Sequence, residues 1–231
     1  MVERAERPKD RQKPVRRPRL PEYDLPELRA FDEPGLEIEG DYDGIEFADL
    51  DLAGSEAQGA HFLDCALRRC ALDETGLKRA RFVDCLVDQP RGVGTTLAEA
   101  ELRDVEVRDA RLGGTQLSGA TLRRVLVRGG KIDYLNLRQS RLVDVSFEGC
   151  VLVEPDFAGA SLERVSFDDC ELRGADLTQA TLREVDLRAA ARLEIARGVD
   201  RLAGAVVTAA QLLDLAPQLA AQLGIRLAEP D

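Results

Sequence analysis

Ala160-Ser161-Leu162-Glu163-Arg164-Val165-Ser166-Phe167-Asp168-Asp169-Cys170-Glu171-Leu172-Arg173-Gly174-Ala175-Asp176-Leu177-Thr178-Gln179 sets a large apolar side chain at Leu162, Phe167, Leu172 and Leu177, one in every five residues. Neither the 3.6-residue period of an amphipathic helix nor the two-residue period of a strand produces that spacing. Outward from this stretch the register holds from Tyr42 to Leu187, where 28 of 30 such positions are large and apolar and only Ala57 and Gly92 break it. Six of the seven Phe residues stand in it. Two residues before each large one runs a series of mainly small residues, among them Ala60, Cys65, Cys70, Thr75, Ala80 and Cys85, which holds all five cysteines.

Read every 20 residues, the small series resolves into columns. One is Ala60, Ala80, Ala100, Ala120, Ser140, Ala160 and Ala180; another is Ser55, Thr75, Thr95 and Thr115. Four pentapeptides therefore make one turn, and each short extended segment stacks on the one a turn earlier at about 4.8 Å. The expected fold is an all-β solenoid, four-sided, with the large and the small residue of each pentapeptide pointing inward. Residues 42–187 supply about 7 turns and a rod of roughly 35 Å. Four buried large side chains give each turn on the order of 10 kcal/mol before entropy is subtracted.

The pattern resembles the pentapeptide repeat family, whose motif is A(D/N)LXX: Ala175-Asp176-Leu177-Thr178-Gln179 matches it outright and Ala160-Ser161-Leu162-Glu163-Arg164 closely. The resemblance implies a right-handed quadrilateral β-helix. It says less about function, because one fold hosts many.

The expected organisation is a basic, disordered tail over 1–20, an N-terminal cap over 21–41, the repeat over 42–190, and a C-terminal cap with a helical dimerisation segment over 191–231. The tail holds eight Lys or Arg against three acids and is either solvated or in touch with DNA or an acidic partner. The whole chain carries 32 basic and 43 acidic residues, net −11, which argues against direct duplex DNA binding by the body. No apolar run is long enough for a membrane span, and a cytoplasmic location is expected.

Near the C-terminus the period changes. Thr208-Ala209-Ala210-Gln211 reads as a capping box, Leu212, Leu215, Leu219 and Leu223 recur at helical spacing, Pro217 is expected to kink or divide the segment, and Gly224 suits its stop. This stripe caps the last turn, joins a second subunit, or does both. The resemblance favours both, since family members pair through C-terminal segments. Between Asp88 and Thr95 the repeat falters, with Pro90 in a small slot and Gly92 in a large one. Gln89, Pro90, Arg91, Gly92, Val93 and Gly94 are expected to form a bulge or projecting loop. The alternative is a local irregularity of one face.

Catalytic constellations are missing from the sequence. His61 precedes the inward Phe62 and faces out, without a nucleophile beside it. Cys65 and Cys85, and Cys150 and Cys170, are one turn apart, near enough for a disulfide by distance, but buried free thiols suit their inward column better. No CxxC points to zinc, and no cofactor is expected. The informative feature is charge. Asp64, Asp84, Asp104 and Asp144 occupy one outward column, where stacked like charges repel, while Arg111, Arg123, Arg124, Arg128, Lys131, Arg138 and Arg141 form a basic belt. The gyrase-protecting branch of the resembling family consists of acidic dimers that imitate duplex DNA in the saddle of a type II topoisomerase. The resemblance thus implies a homodimer that binds DNA gyrase or another type II topoisomerase through the acidic column and protects it from poisons. The alternative is a non-catalytic scaffold for another protein, and the basic belt disagrees with strict phosphate mimicry.

Overall fold

The computed structural model describes residues 15–226, and its repeat is a β-solenoid of about nine turns with one C-terminal helix. Strand pairing is parallel at 20-residue steps: Leu102, Leu122, Leu142, Leu162 and Leu182 lie one above another. The inward register is the one expected, with Phe47, Phe62, Phe147, Phe157 and Phe167 fully buried and Ala100, Ala120 and Ala160 at most 1% exposed. Because the rings sit in shared columns they stack: Phe62 on Phe82 at 4.5 Å and Phe147 on Phe167 at 5.0 Å.

The ladder is longer than residues 42–187. It begins at Arg29–Ala30, paired with Ile45 and Glu46, and ends at Ala205–Val206, paired with Val185 and Asp186. Residues 192–206, assigned above to the C-terminal cap, thus continue the sheet. Strand Arg192–Arg197 pairs with Glu171–Asp176 through a register shift, which is why the five-residue period is lost in the sequence while the turn persists.

Of the 20 non-glycine residues with positive φ among the described residues, all but Glu39 stand two residues after a large inward position, where the chain turns a corner. Asp64, Asp84, Asp104 and Asp144 are among them, with φ between 51° and 57°. Left-handed backbone favours Gly, Asn and Asp, so the acidic column has a conformational cause of its own. The small inward series has another. Thr75 and Thr95 donate their hydroxyls to the carbonyls of Leu52 and Leu72, and Cys70 and Cys85 their thiols to those of Phe47 and Phe62, each 23 residues earlier. All five cysteines are free and buried. In the pairs one turn apart, the neighbouring thiol and burial both push Cys85 and Cys150 up.

Both ends are closed. Phe31 packs on Phe47 at 4.6 Å, and the Glu37 N–H donates to the Tyr42 hydroxyl at 2.8 Å. At the other end the capping box forms as read: the Gln211 N–H donates to Thr208 Oγ1 at 3.1 Å, and the Thr208 N–H to Gln211 Oε1 at 2.8 Å. The Gln211 amide also donates to the Leu187 carbonyl, tying the helix to the solenoid. Helix Ala209–Gln222 runs unbroken through Pro217, correcting the expected division, and Gly224 ends it at φ 72°.

Candidate interaction surfaces

The acidic corner row is not uniform. Among the described residues Asp64 and Asp84 make no ion pair, and burial together with the charges of Asp104 and Asp64 pushes the Asp84 carboxyl above its usual range. Asp104 and Asp144 are only 6% exposed, and each is held by an arginine on the same corner one turn later. Arg124 Nε donates to Asp104 Oδ1 at 2.5 Å with its second nitrogen on Oδ2; Arg164 Nε and a terminal nitrogen reach the two Asp144 oxygens at 2.7 and 2.9 Å. Burial opposes ionisation of Asp144, but the Arg164 hydrogen bonds and the Arg19 backbone N–H outweigh it and hold its carboxyl low. Arg69 and Asp49 repeat the same two-toothed pairing on another corner. The belt is engaged too, through Arg128 with Glu148 at 3.0 Å, Lys131 with Asp133 at 2.8 Å and Arg138 with Asp156 at 3.0 Å.

The expected loop over Gln89, Pro90, Arg91, Gly92, Val93 and Gly94 is corrected. Strand Arg91–Val93 pairs in register with Arg111, Leu112 and Gly113, the Gln89 N–H donates to Arg108 O at 2.8 Å, and Pro90 O accepts from the Arg111 N–H at 2.9 Å. Glycine is required at 92 because a Cβ there would lie 2.7 Å from the Leu72 carbonyl carbon. Inside the rod an apolar cavity of about 100 Å³ runs past Leu72 and Leu112, the column neighbours of Gly92. The cavity is also lined by Thr115, whose carbonyl partner by the 23-residue rule belongs to Gly92, and whose buried hydroxyl is unpaired.

Residues 15–28 run lengthwise along the rod, against the expectation of a disordered tail through residue 20; residues 1–14 lie outside the described residues. Arg16 Nε donates to Glu184 Oε1 at 2.9 Å, the Arg19 N–H to Asp144 Oδ1 at 3.2 Å, and the Tyr23 hydroxyl to Glu106 Oε2 at 2.6 Å, before Arg29 and Phe31 join the sheet through Gly44 O and Glu46 O. Burial and the Glu106 hydrogen bond raise the Tyr23 phenol to about 12. Glu106 is held low chiefly by Arg108, with burial opposing and Tyr23 assisting. Beside this arm the column Ala66, Leu86, Glu106, Leu126, Ser146 and Ser166 is buried. In the repeat these are outward positions: the equivalent column His61, Arg81, Glu101, Thr121, Arg141, Ser161 and Thr181 is exposed throughout. Outward Leu86 and Leu126, with Pro18 and Pro21 three apart, were the sequence signals for this surface.

The expected dimer stripe divides. Leu215 is buried and Leu219 half-buried against the last turns, with Val199 and Leu202, so both cap the rod; Leu212, Leu213, Leu223 and Ile225 are exposed. Among the described residues no helix is long and apolar enough to cross a membrane. Among the described residues no group of three or more His, Cys, Asp or Glu is placed to hold a metal ion.

Comparison with known proteins bears on family and fold. No curated protein sequence matches. A trypsin-treated variant of QnrB1, described as a plasmid-mediated fluoroquinolone resistance protein, is 17% identical over 87% of this chain and 100% of its own, with a TM-score of 0.34. HetL, a pentapeptide repeat protein involved in heterocyst differentiation regulation from the cyanobacterium Nostoc sp. strain PCC 7120, is 20% identical over 73% of this chain and 90% of its own, with a TM-score of 0.30. Scores this low carry no argument about activity. The description "pentapeptide repeat region" matches residues 60–137 and 140–193, more than half the chain, in agreement with the 20-residue ladder and its corner geometry; this chain belongs to the pentapeptide repeat family.

Proposed function

We propose that this protein is a non-catalytic binding rod whose partner is a type II topoisomerase, DNA gyrase, which it meets in place of duplex DNA. The observation that carries the reading is the stack of Asp64 and Asp84, without an ion pair among the described residues and one turn, about 4.8 Å, apart, on a chain of net charge −11. Negative charge spaced along a rod speeds association with a basic saddle and weakens with salt. Nine turns extend about 43 Å, and pairing two copies through the exposed Leu212, Leu213, Leu223 and Ile225 doubles that length. Leu213→Glu with Leu223→Glu should give a folded monomer by light scattering, whereas Leu215→Glu should weaken the cap. The direct test is DNA supercoiling by gyrase, with and without a fluoroquinolone, over a titration of this protein. Protection that falls at least tenfold in Asp64→Asn with Asp84→Asn supports the reading, and no response and no low-salt binding at micromolar dimer ends it. A scaffold for a different protein is the second reading. Its support is the internal neutralisation of Asp104 and Asp144 by Arg124 and Arg164, which a phosphate mimic does not need.

A further inference from the structure

We propose that the face formed by the Glu106, Asp144 and Glu184 side of the rod is a peptide groove that takes an extended, proline- and arginine-bearing segment, and that residues 15–28 are its tethered resident, exchangeable for a partner protein's segment of the same chemistry. The proposal is independent of the topoisomerase reading. Its first support is commensurate spacing. Arg16 meets Glu184 and Arg19 meets Asp144, so three arm residues span two turns of the rod. Three residues of polyproline II advance about 9.3 Å and two strand spacings about 9.5 Å, so a segment of that form keeps register with the columns without strain. Val15, Pro18 and Pro21 are half-buried at intervals of three, the repeat of one polyproline II face.

Chemical complementarity is the second support. Carboxylates of Glu184, Asp144 and Glu106 receive a guanidinium, a backbone N–H and a phenol in succession. Between them the floor is Leu126, Ser146 and Ser166, with Leu86 one turn beyond Glu106, an apolar and hydroxyl surface buried at positions that the repeat turns outward. An extended proline-bearing segment docks at low entropy cost because its conformation is already set.

The third support is how lightly the arm is held. Among the described residues, no backbone–backbone hydrogen bond involves residues 15–28, and the Arg16 side chain is 64% exposed in its ion pair. From Arg29 onward the chain is anchored in the sheet and by Phe31 in the core. The arm can therefore leave as a unit, hinged before Arg29, without opening the solenoid.

The test uses the full chain and a fluorescent synthetic peptide of residues 15–28. In the unmodified protein the tethered arm competes at high effective concentration, so the peptide binds weakly. Releasing the arm by Arg16→Glu with Tyr23→Asp should tighten peptide binding at least tenfold by anisotropy. Adding Glu106→Gln and Glu184→Gln should return it to the starting level. Circular dichroism checks the fold of each variant. If the double variant fails to fold, Pro18→Gly with Pro21→Gly loosens the arm by removing two half-buried rings and raising its chain entropy, and keeps Tyr23, whose titration then moves from about 12 toward the ordinary phenol value. Equal peptide binding by the unmodified and released proteins, equal binding of a scrambled peptide, or no binding by a folded released variant overturns the proposal.

Discussion

Two outward columns of this rod hold the same place in the pentapeptide, immediately before a large inward residue, and differ in everything else. His61, Arg81, Glu101, Thr121, Arg141, Ser161 and Thr181 are exposed; Ala66, Leu86, Glu106, Leu126, Ser146 and Ser166 are buried beside the arm. Position in the repeat sets which way a side chain points, while burial depends on what lies over that face. The periodic register therefore identifies the core of a solenoid reliably and its working surface poorly.

The sharpest way to break the comparison is to place the same charge in both columns. Leu126→Asp puts an unpaired carboxylate under the arm and should cost about 2 kcal/mol in urea unfolding, limited to what lifting the arm costs, whereas Thr121→Asp should stay within about 0.5 kcal/mol. If the two cost the same, the buried column is not a covered surface. Next come the corner pairs beside the arm. Asp144→Asn takes the two-toothed carboxylate from the part-buried Arg164 guanidinium, leaving it Glu163 alone, and should cost about 1 kcal/mol, and Asp49→Asn on an exposed corner should have no resolvable effect.

Acidity separates the faces further. Glu106, held low by Arg108, Asp144, held low by Arg164 against burial, and Glu184, held low by Arg16, all bind or flank the arm. Their contribution is complete above the ordinary carboxylate values and is lost as pH falls through the lowered ones, so acid should release the arm. Tyr23 works in the opposite direction: its contribution is complete below the ordinary phenol value of about 10 and is lost as pH rises through about 12. Burial raises Tyr42 as well, so the ultraviolet titration of the unmodified protein is set against that of Tyr23→Phe and should lose one late-titrating phenol, and near-ultraviolet circular dichroism should show the Tyr23 environment change in acid. A late part of the titration that is unchanged in Tyr23→Phe would place Tyr23 in solvent and remove the arm from the groove. The smallest expected effect lies on an uncovered corner. Tyr134 is exposed at φ 56°, and Tyr134→Asn should stabilise by about 0.5 kcal/mol by relieving left-handed strain.

The fold was legible because it is written in one repeated decision: Leu162, Phe167, Leu172 and Leu177 recur at five, and the columns recur at 20. Where a residue was inserted, near Arg192–Arg197, the period vanished but the hydrogen-bond ladder tolerated a register shift, so the last turns went unread. Pro90 and Gly92 suggested a loop because each is a poor strand residue alone. Their neighbours in the turns before and after hold the strand in place regardless, and the Thr115 hydroxyl one turn later is left unpaired.

The acidic column shows the limit most clearly. The sequence places Asp64, Asp84, Asp104 and Asp144 on one line, and that line exists. Only the tertiary structure separates two carboxylates without an ion pair from two clamped by Arg124 and Arg164, because those partners lie one turn away and a side chain's reach depends on its corner. Likewise Leu212, Leu215, Leu219 and Leu223 share a helical stripe in sequence, but the direction in which the helix docks decides that Leu215 caps the rod and Leu223 faces solvent. By itself the sequence determined the repeat, the inward register, the capping box and the free-thiol column, all local or 20-residue periodic. Which outward faces are covered was decided by the path of a non-repetitive arm over the rod, since its contacts join residues up to 168 apart and leave no period to read.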